Sequence, residues 1–195
     1  MPKQEMATLS DGVLLDHLMQ GDSASFDELF LRHYNGIYGL LFRLIGNREE
    51  AEDVAQEVFM KLHSVVDHGR WKQDNDNVFG WLYRVAMNMG NNHIRARNRL
   101  WQRNTFLVPE SEPGAEVDRQ VELLEERTLV RETLGRLPER QALLLLLRQM
   151  DYSYAECAAI CDIAPGSVGT LLARAAEAFR QEFQMVTNPR ATKHE

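Results

Sequence analysis

This chain of 195 residues is poor in cysteine and long apolar runs, and each shortage excludes a class of protein. Its two cysteines, Cys157 and Cys161, lie four residues apart and cannot staple a framework, so a disulfide scaffold is excluded and a reducing compartment is expected. The few prolines act as local signals, Pro109 and Pro113 in an aperiodic stretch and Pro138 at a helix start. No run approaches the roughly 18 apolar residues of a membrane span, and the start, MPKQEMATLS, lacks a signal-peptide core; a cytoplasmic protein without direct membrane contact is expected. Net positive charge is missing as well: 22 basic residues face 29 acidic ones, a formal charge of −7, which argues against coating nucleic acid by bulk charge. What is present is ordinary for a globular chain, 44% hydrophobic and 26% charged.

The charge is unevenly distributed. Between Gly80 and Arg103 the charged residues are Arg84, Arg95, Arg97, Arg99 and Arg103, whereas Asn104 to Thr128 holds seven acids against Arg119 and Arg127. Pro109, Pro113 and Gly114 fall in the acidic stretch, where apolar periodicity disappears. The pattern predicts a flexible acidic linker at 104–117 between a domain at 1–103 and another at 118–195.

Both parts read as helical, and no segment shows strand periodicity, so the expected class is all-α with two small helical domains. Ser23 is placed to cap a helix whose residues Phe26, Leu29, Phe30, Ile37, Leu40, Leu41 and Leu44 recur at helical spacing, and Gly46 ends it. Asn47 and Glu50 open a second helix, with Ala51, Val54, Val58, Phe59 and Leu62 on one face. After the polar break DHGRWKQDNDN a third helix carries apolar residues early and arginines late, and Gly90 and Asn91 weaken it. In the second part Pro138 suits a first turn, the run from Ala142 to Leu147 is apolar on every face, and Ser153 with Glu156 makes a capping box. Two short helices joined by the turn CDIAP and preceded by a buried helix form the helix-turn-helix pattern.

The motifs, taken in order, resemble the extracytoplasmic-function group of bacterial RNA polymerase sigma factors over nearly the whole chain. GDSASFDELFLRHYNGIYGLLFRLIGNREEAEDVAQEVFMKLH and FGWLYRVAMN are similar to the family's first domain, and LPERQALLLLLRQMDYSYAECAAICDIAPGSVGTLLARA to its second. The resemblance implies a non-enzymatic protein without a cofactor. It would direct core RNA polymerase to promoter DNA, start melting, and answer to an anti-sigma factor.

Asp53, Gln56 and Glu57 fall at i, i+3 and i+4, one polar patch opposite Val54 and Val58, and the resemblance implies that this patch docks on the polymerase clamp. Trp71, Trp81, Arg84, Asn88, Asn92, Arg95, Arg97 and Arg99 combine stacking aromatics with polar and cationic groups suited to unpaired bases and their backbone, and the resemblance implies that they capture the minus-ten strand. Trp71, in a polar loop, is expected to lie outside the core, whereas Phe79, Trp81 and Tyr83 also suit core positions. Asn92 stands where the family usually has aspartate. In the recognition helix Ser167, Thr170, Ala173 and Arg174 are expected to face the minus-thirty-five element. Gly169 and Leu171 replace residues that are commonly basic, so the grip of this half on DNA is expected to be weak. Cys157 and Cys161 occupy apolar core positions of the family pattern, and no histidine lies near them in sequence to complete a metal site. A stand-alone helix-turn-helix regulator and a polymerase- or anti-sigma-binding adaptor are the rival readings.

Overall fold

The computed structural model describes residues 6–71, 77–104 and 115–188, and these are helical with no strand among them. Among the described residues the N-terminal half contains α1 (Asp11–Met19), α2 (Ser23–Ile45), α3 (Arg48–Asp67) and α4 (Val78–Asn104). The C-terminal half contains α5 (Ala115–Arg136), α6 (Glu139–Gln149) and α7 (Tyr154–Cys161), then a 3-10 turn (Pro165–Ser167) and α8 (Val168–Thr187).

Local chemistry sets most boundaries. Ser10 caps α1, accepting from the Val13 amide, and Leu14, Leu15 and Leu18 bury its inner face. The cap of α2 is Asp22, one residue before the expected Ser23; its carboxylate accepts from the Ala24 amide and from the Ser25 hydroxyl. Gly46 closes α2 at φ 82°, the left-handed conformation that glycine adopts without a Cβ penalty. Asn47 accepts from the Glu50 amide at the start of α3. Its partner Glu50 does not complete a capping box, since its carboxylate binds His93 and Arg97. The box at Ser153 and Glu156 is complete in both directions. Pro138 occupies the N-cap of α6 rather than its first turn, and Ala142, Leu143, Leu144, Leu146 and Leu147 are buried.

Gly90 and Asn91, whose helix propensity is low, lie inside α4, which runs unbroken through them. A Cβ at Gly90 would lie 2.7 Å from Leu44 Cδ2 and 3.0 Å from Leu41 Cδ2, so the glycine permits close packing of α4 on α2. Asn91 is buried. Of the expected linker at 104–117, Asn104 belongs to α4 and the positions from Ala115 onward belong to α5; positions 105–114 lie outside the described residues. The C-terminal helix runs to Thr187.

The halves pack together. Helix α4 lies against α7 and α6, while α2 meets α5 and α6. Arg84 donates to the Ile160 carbonyl at 2.9 Å, Asn77 donates to the Ala159 carbonyl, and the Tyr83 and Tyr152 hydroxyls are hydrogen-bonded. The first two contacts satisfy carbonyls at the C-terminal end of α7 that the helix itself leaves unpaired.

Candidate nucleic-acid and partner interface

Helix α3 buries Val54, Val58 and Phe59 and turns Asp53, Gln56 and Glu57 outward, so the three polar residues form one exposed surface. Met60, at i+4 from Gln56 and i+3 from Glu57, adds a thioether that is 68% exposed. A flexible apolar side chain among hydrogen-bonding groups suits a partner surface, because Met is adaptable and enriched at interfaces. Sequence reasoning missed Met60, although its helical offset from Gln56 and Glu57 was available as a signal.

Helix α4 separates its candidates into two sets. Asn88, Asn92, Arg95 and Arg99 are exposed at i, i+4, i+7 and i+11, a line about 16 Å long at 1.5 Å per residue. Asn92 Nδ2 donates to Asn88 Oδ1 at 2.9 Å, and Arg95 donates to Asn92 Oδ1 at 3.3 Å. These bonds hold the side chains along the exposed face. The second set is occupied within the protein. Arg84 serves the Ile160 carbonyl, and Arg97 lies between Glu50, at 2.9 Å, and the Ile45 carbonyl.

Trp71 differs from its expected position. It is 7% exposed and packs edge-on against Trp81 at 5.3 Å between ring centroids, so it belongs to the core rather than to an open stacking surface. Its indole nitrogen is buried without a hydrogen-bond partner among the described residues. The polar loop concealed this, because a single tryptophan carries no periodicity. Trp81 is partly buried, and Tyr83 is fully enclosed.

In the C-terminal half Ser167, Thr170, Ala173 and Arg174 are all exposed at the start of α8, while Val168 and Ala175 anchor the opposite face. Arg174 makes no ion pair among the described residues, unlike Arg180, which is paired with Glu177 at 2.8 Å. The two departures from the family pattern have different surroundings. A Cβ at Gly169 would meet only Tyr154, at 3.7 Å, so packing does not demand glycine there. Leu171 is partly buried against the core, which withdraws that position from phosphate contact. Cys157 and Cys161 are buried, and burial raises both thiol pKa values, that of Cys161 to about 11. Among the described residues no His, Cys, Asp and Glu cluster could hold a metal ion, and no single helix is long and apolar enough to cross a membrane.

A helical unit with an exposed polar patch and an arginine-bearing face, followed by a helix-turn-helix, defines a class. Residues 29–100 match Sigma-70 region 2, and residues 127–179 match Sigma-70, region 4. The chain belongs to the extracytoplasmic-function family of RNA polymerase sigma factors. It is 31% identical over 184 residues to the RNA polymerase sigma-H factor of Pseudomonas aeruginosa, covering 89% of this chain and 94% of that protein. It is 32% identical over 187 residues to the ECF RNA polymerase sigma-E factor of Escherichia coli, covering 90% and 95%. Among solved structures, CnrH in complex with the cytosolic domain of CnrY has a similar fold, with a TM-score of 0.53 at 20% identity over 92% of this chain and 98% of that chain.

Proposed function

We propose that this sigma factor works in the cytoplasm as a non-catalytic specificity subunit: residues 1–103 bind core polymerase and open the minus-ten element, the segment between α4 and α5 links, and residues 118–195 read the minus-thirty-five element. Asp53, Gln56 and Glu57 would hold the polymerase clamp. Asn88, Asn92, Arg95 and Arg99 would track the separated strand, with the arginines on its phosphates and the asparagines on base edges. Trp81 would act at the edge of this surface, while Trp71, Arg84 and Arg97 would support it from inside. Ser167, Thr170, Ala173 and Arg174 would face the major groove. An anti-sigma protein would regulate the assembly.

The observation that carries this reading is the presence of two separately exposed surfaces on the N-terminal half, one acceptor-rich on α3 and one bearing amides and guanidiniums on α4. Neither charge set is large, so each contact would be weak alone. Tethering both to one enzyme raises effective concentration and gives about 10²–10⁴-fold in avidity when the geometry fits.

The test is transcription from cognate genomic DNA by purified core polymerase, with and without this chain. Promoter-specific starts are expected only with the chain, and the Asp53→Ala, Gln56→Ala double variant should lose core affinity while keeping its melting temperature. Unchanged core affinity in that variant would remove the α3 assignment, and core binding without starts would leave an adaptor.

A further inference from the structure

A cavity of about 340 Å³ opens between the two halves, bounded by the end of α2, the middle of α4 and the last turns of α5. Four guanidinium groups border it: Arg95, Arg97, Arg131 and Arg136. Two carboxylates answer them, Glu132 on Arg136 at 2.7 Å and Glu50 on Arg97 at 2.9 Å. Arg95 and Arg131 have no carboxylate partner among the described residues, which leaves two positive charges in excess.

Arg131 is the unusual member. Its Nε donates to the Arg43 carbonyl, and its plane lies against Gly46, where a Cβ would overlap the guanidinium. That contact fixes the group in place and uses one of its five N–H donors; the terminal nitrogens have no acceptor among the described residues. Burial, then the charges of Arg127 and Arg97, make its protonated form less favourable than usual, although arginine remains charged in proteins. An arginine held among arginines with its fork unpaired is a preorganised anion site, and bidentate phosphate contact is what that geometry serves best. Apolar lining comes from Ile94 of α4 and from Leu44 and Ile45 at the end of α2.

We propose that this cavity binds a nucleoside polyphosphate, with phosphoryl oxygens on Arg131 and Arg95 and the base against the Ile94 wall. Both halves of the protein supply the walls, so occupancy favours their packed arrangement by binding linkage. The volume lies at the lower end of that of small-molecule sites.

Isothermal titration of the full chain with ATP, GTP, inorganic pyrophosphate and inorganic phosphate tests this. ATP or GTP should bind, weaken as NaCl is raised, and lift the melting temperature in proportion to the logarithm of nucleotide concentration. Arg131→Gln should lower affinity at least tenfold. Arg136→Gln, an exposed change that leaves Glu132 unneutralised beside the site, should lower it as well and serves if the first variant folds poorly. No heat and no melting shift at millimolar nucleotide would overturn the proposal, as would wild-type affinity in both variants. Pyrophosphate binding as tightly as ATP would overturn the place given to the base.

Discussion

The hydroxyl of Tyr83 on α4 is hydrogen-bonded to the hydroxyl of Tyr152, which lies between α6 and α7, so a partly buried polar contact at the seam joins the two halves. Tyr83 is 1% exposed, and burial first, then the bond to Tyr152, drives its phenol pKa far above the ordinary value. Beneath the pair sits Gly36 of α2, where a Cβ would overlap both hydroxyls. Phe79 packs edge-on against Tyr83 at 5.1 Å and closes the cluster.

Removing the Tyr152 hydroxyl leaves that of Tyr83 buried and unpaired, a loss of about 1–3 kcal/mol, removing the Tyr83 hydroxyl strands that of the less buried Tyr152 at smaller cost, and removing both is close to neutral. Tyr83→Phe and Tyr152→Phe should each destabilise, and the double variant should recover much of the loss. Urea unfolding of the four proteins measures the coupling. Strictly additive single effects would show that the two hydroxyls act independently.

Stability should fall in acid through Asp11. Its carboxylate accepts from His33 at 2.7 Å and from Arg32 at 3.0 Å. The hydrogen bond from His33 lowers its pKa most; partial burial opposes this, and the charge of His33 and the bond and charge of Arg32 lower it further. A depressed folded-state pKa means that the unfolded chain binds the proton first as pH falls. The contribution is therefore complete above the unfolded value of about 3.9 and is lost as pH falls through the folded value. Asp11→Asn should flatten the dependence of unfolding free energy on pH below about 4, and an unchanged slope would show that Asp11 is not the group responsible.

The two thiols should be inert in the native state. Cys157 and Cys161 are buried and their pKa values raised, mainly by desolvation, so little thiolate exists at neutral pH. Labelling with a thiol reagent at pH 7.5 should be slow in buffer and complete in denaturant. Rapid native labelling of either residue would contradict its place in the core.

Two arginines of the candidate interface should behave oppositely. Arg174 is exposed and makes no ion pair among the described residues, so Arg174→Ala should change stability by less than about 0.5 kcal/mol. If it contacts phosphate in the holoenzyme, its loss also reduces the salt slope of promoter binding by about 0.9. Arg84→Ala should leave that slope unchanged and lower stability instead, since the Ile160 carbonyl loses its donor. The pair is separated by urea melts and by promoter affinity measured across a salt series; a reversed pattern would exchange their roles.

The helices were legible because capping and periodicity are local. Gly46, Asn47 and the Ser153–Glu156 box sit where their chemistry placed them, and Val54 and Val58 lie opposite Asp53, Gln56 and Glu57 as a 3.6-residue repeat requires. The sequence motifs also carried the family, whose members match the chain along most of its length. Helix α1 was not distinguished from the N-terminal sequence around it, because nine residues offer few repeats of the period.

What the sequence by itself determined is which residues are helical, which face of each helix is polar, and to which family the chain belongs. Tertiary structure alone decided how the arginines of α4 divide. Arg84 and Arg97 serve carbonyls of α7 and α2, and Arg95 and Arg99 remain exposed, although all four look alike along the chain. It also turned Trp71 inward and made Gly90 a point of close approach. The physical reason is common to these cases: an orphan carbonyl, an aromatic partner and a facing leucine lie far off in sequence, and no local pattern records what folding brings into contact.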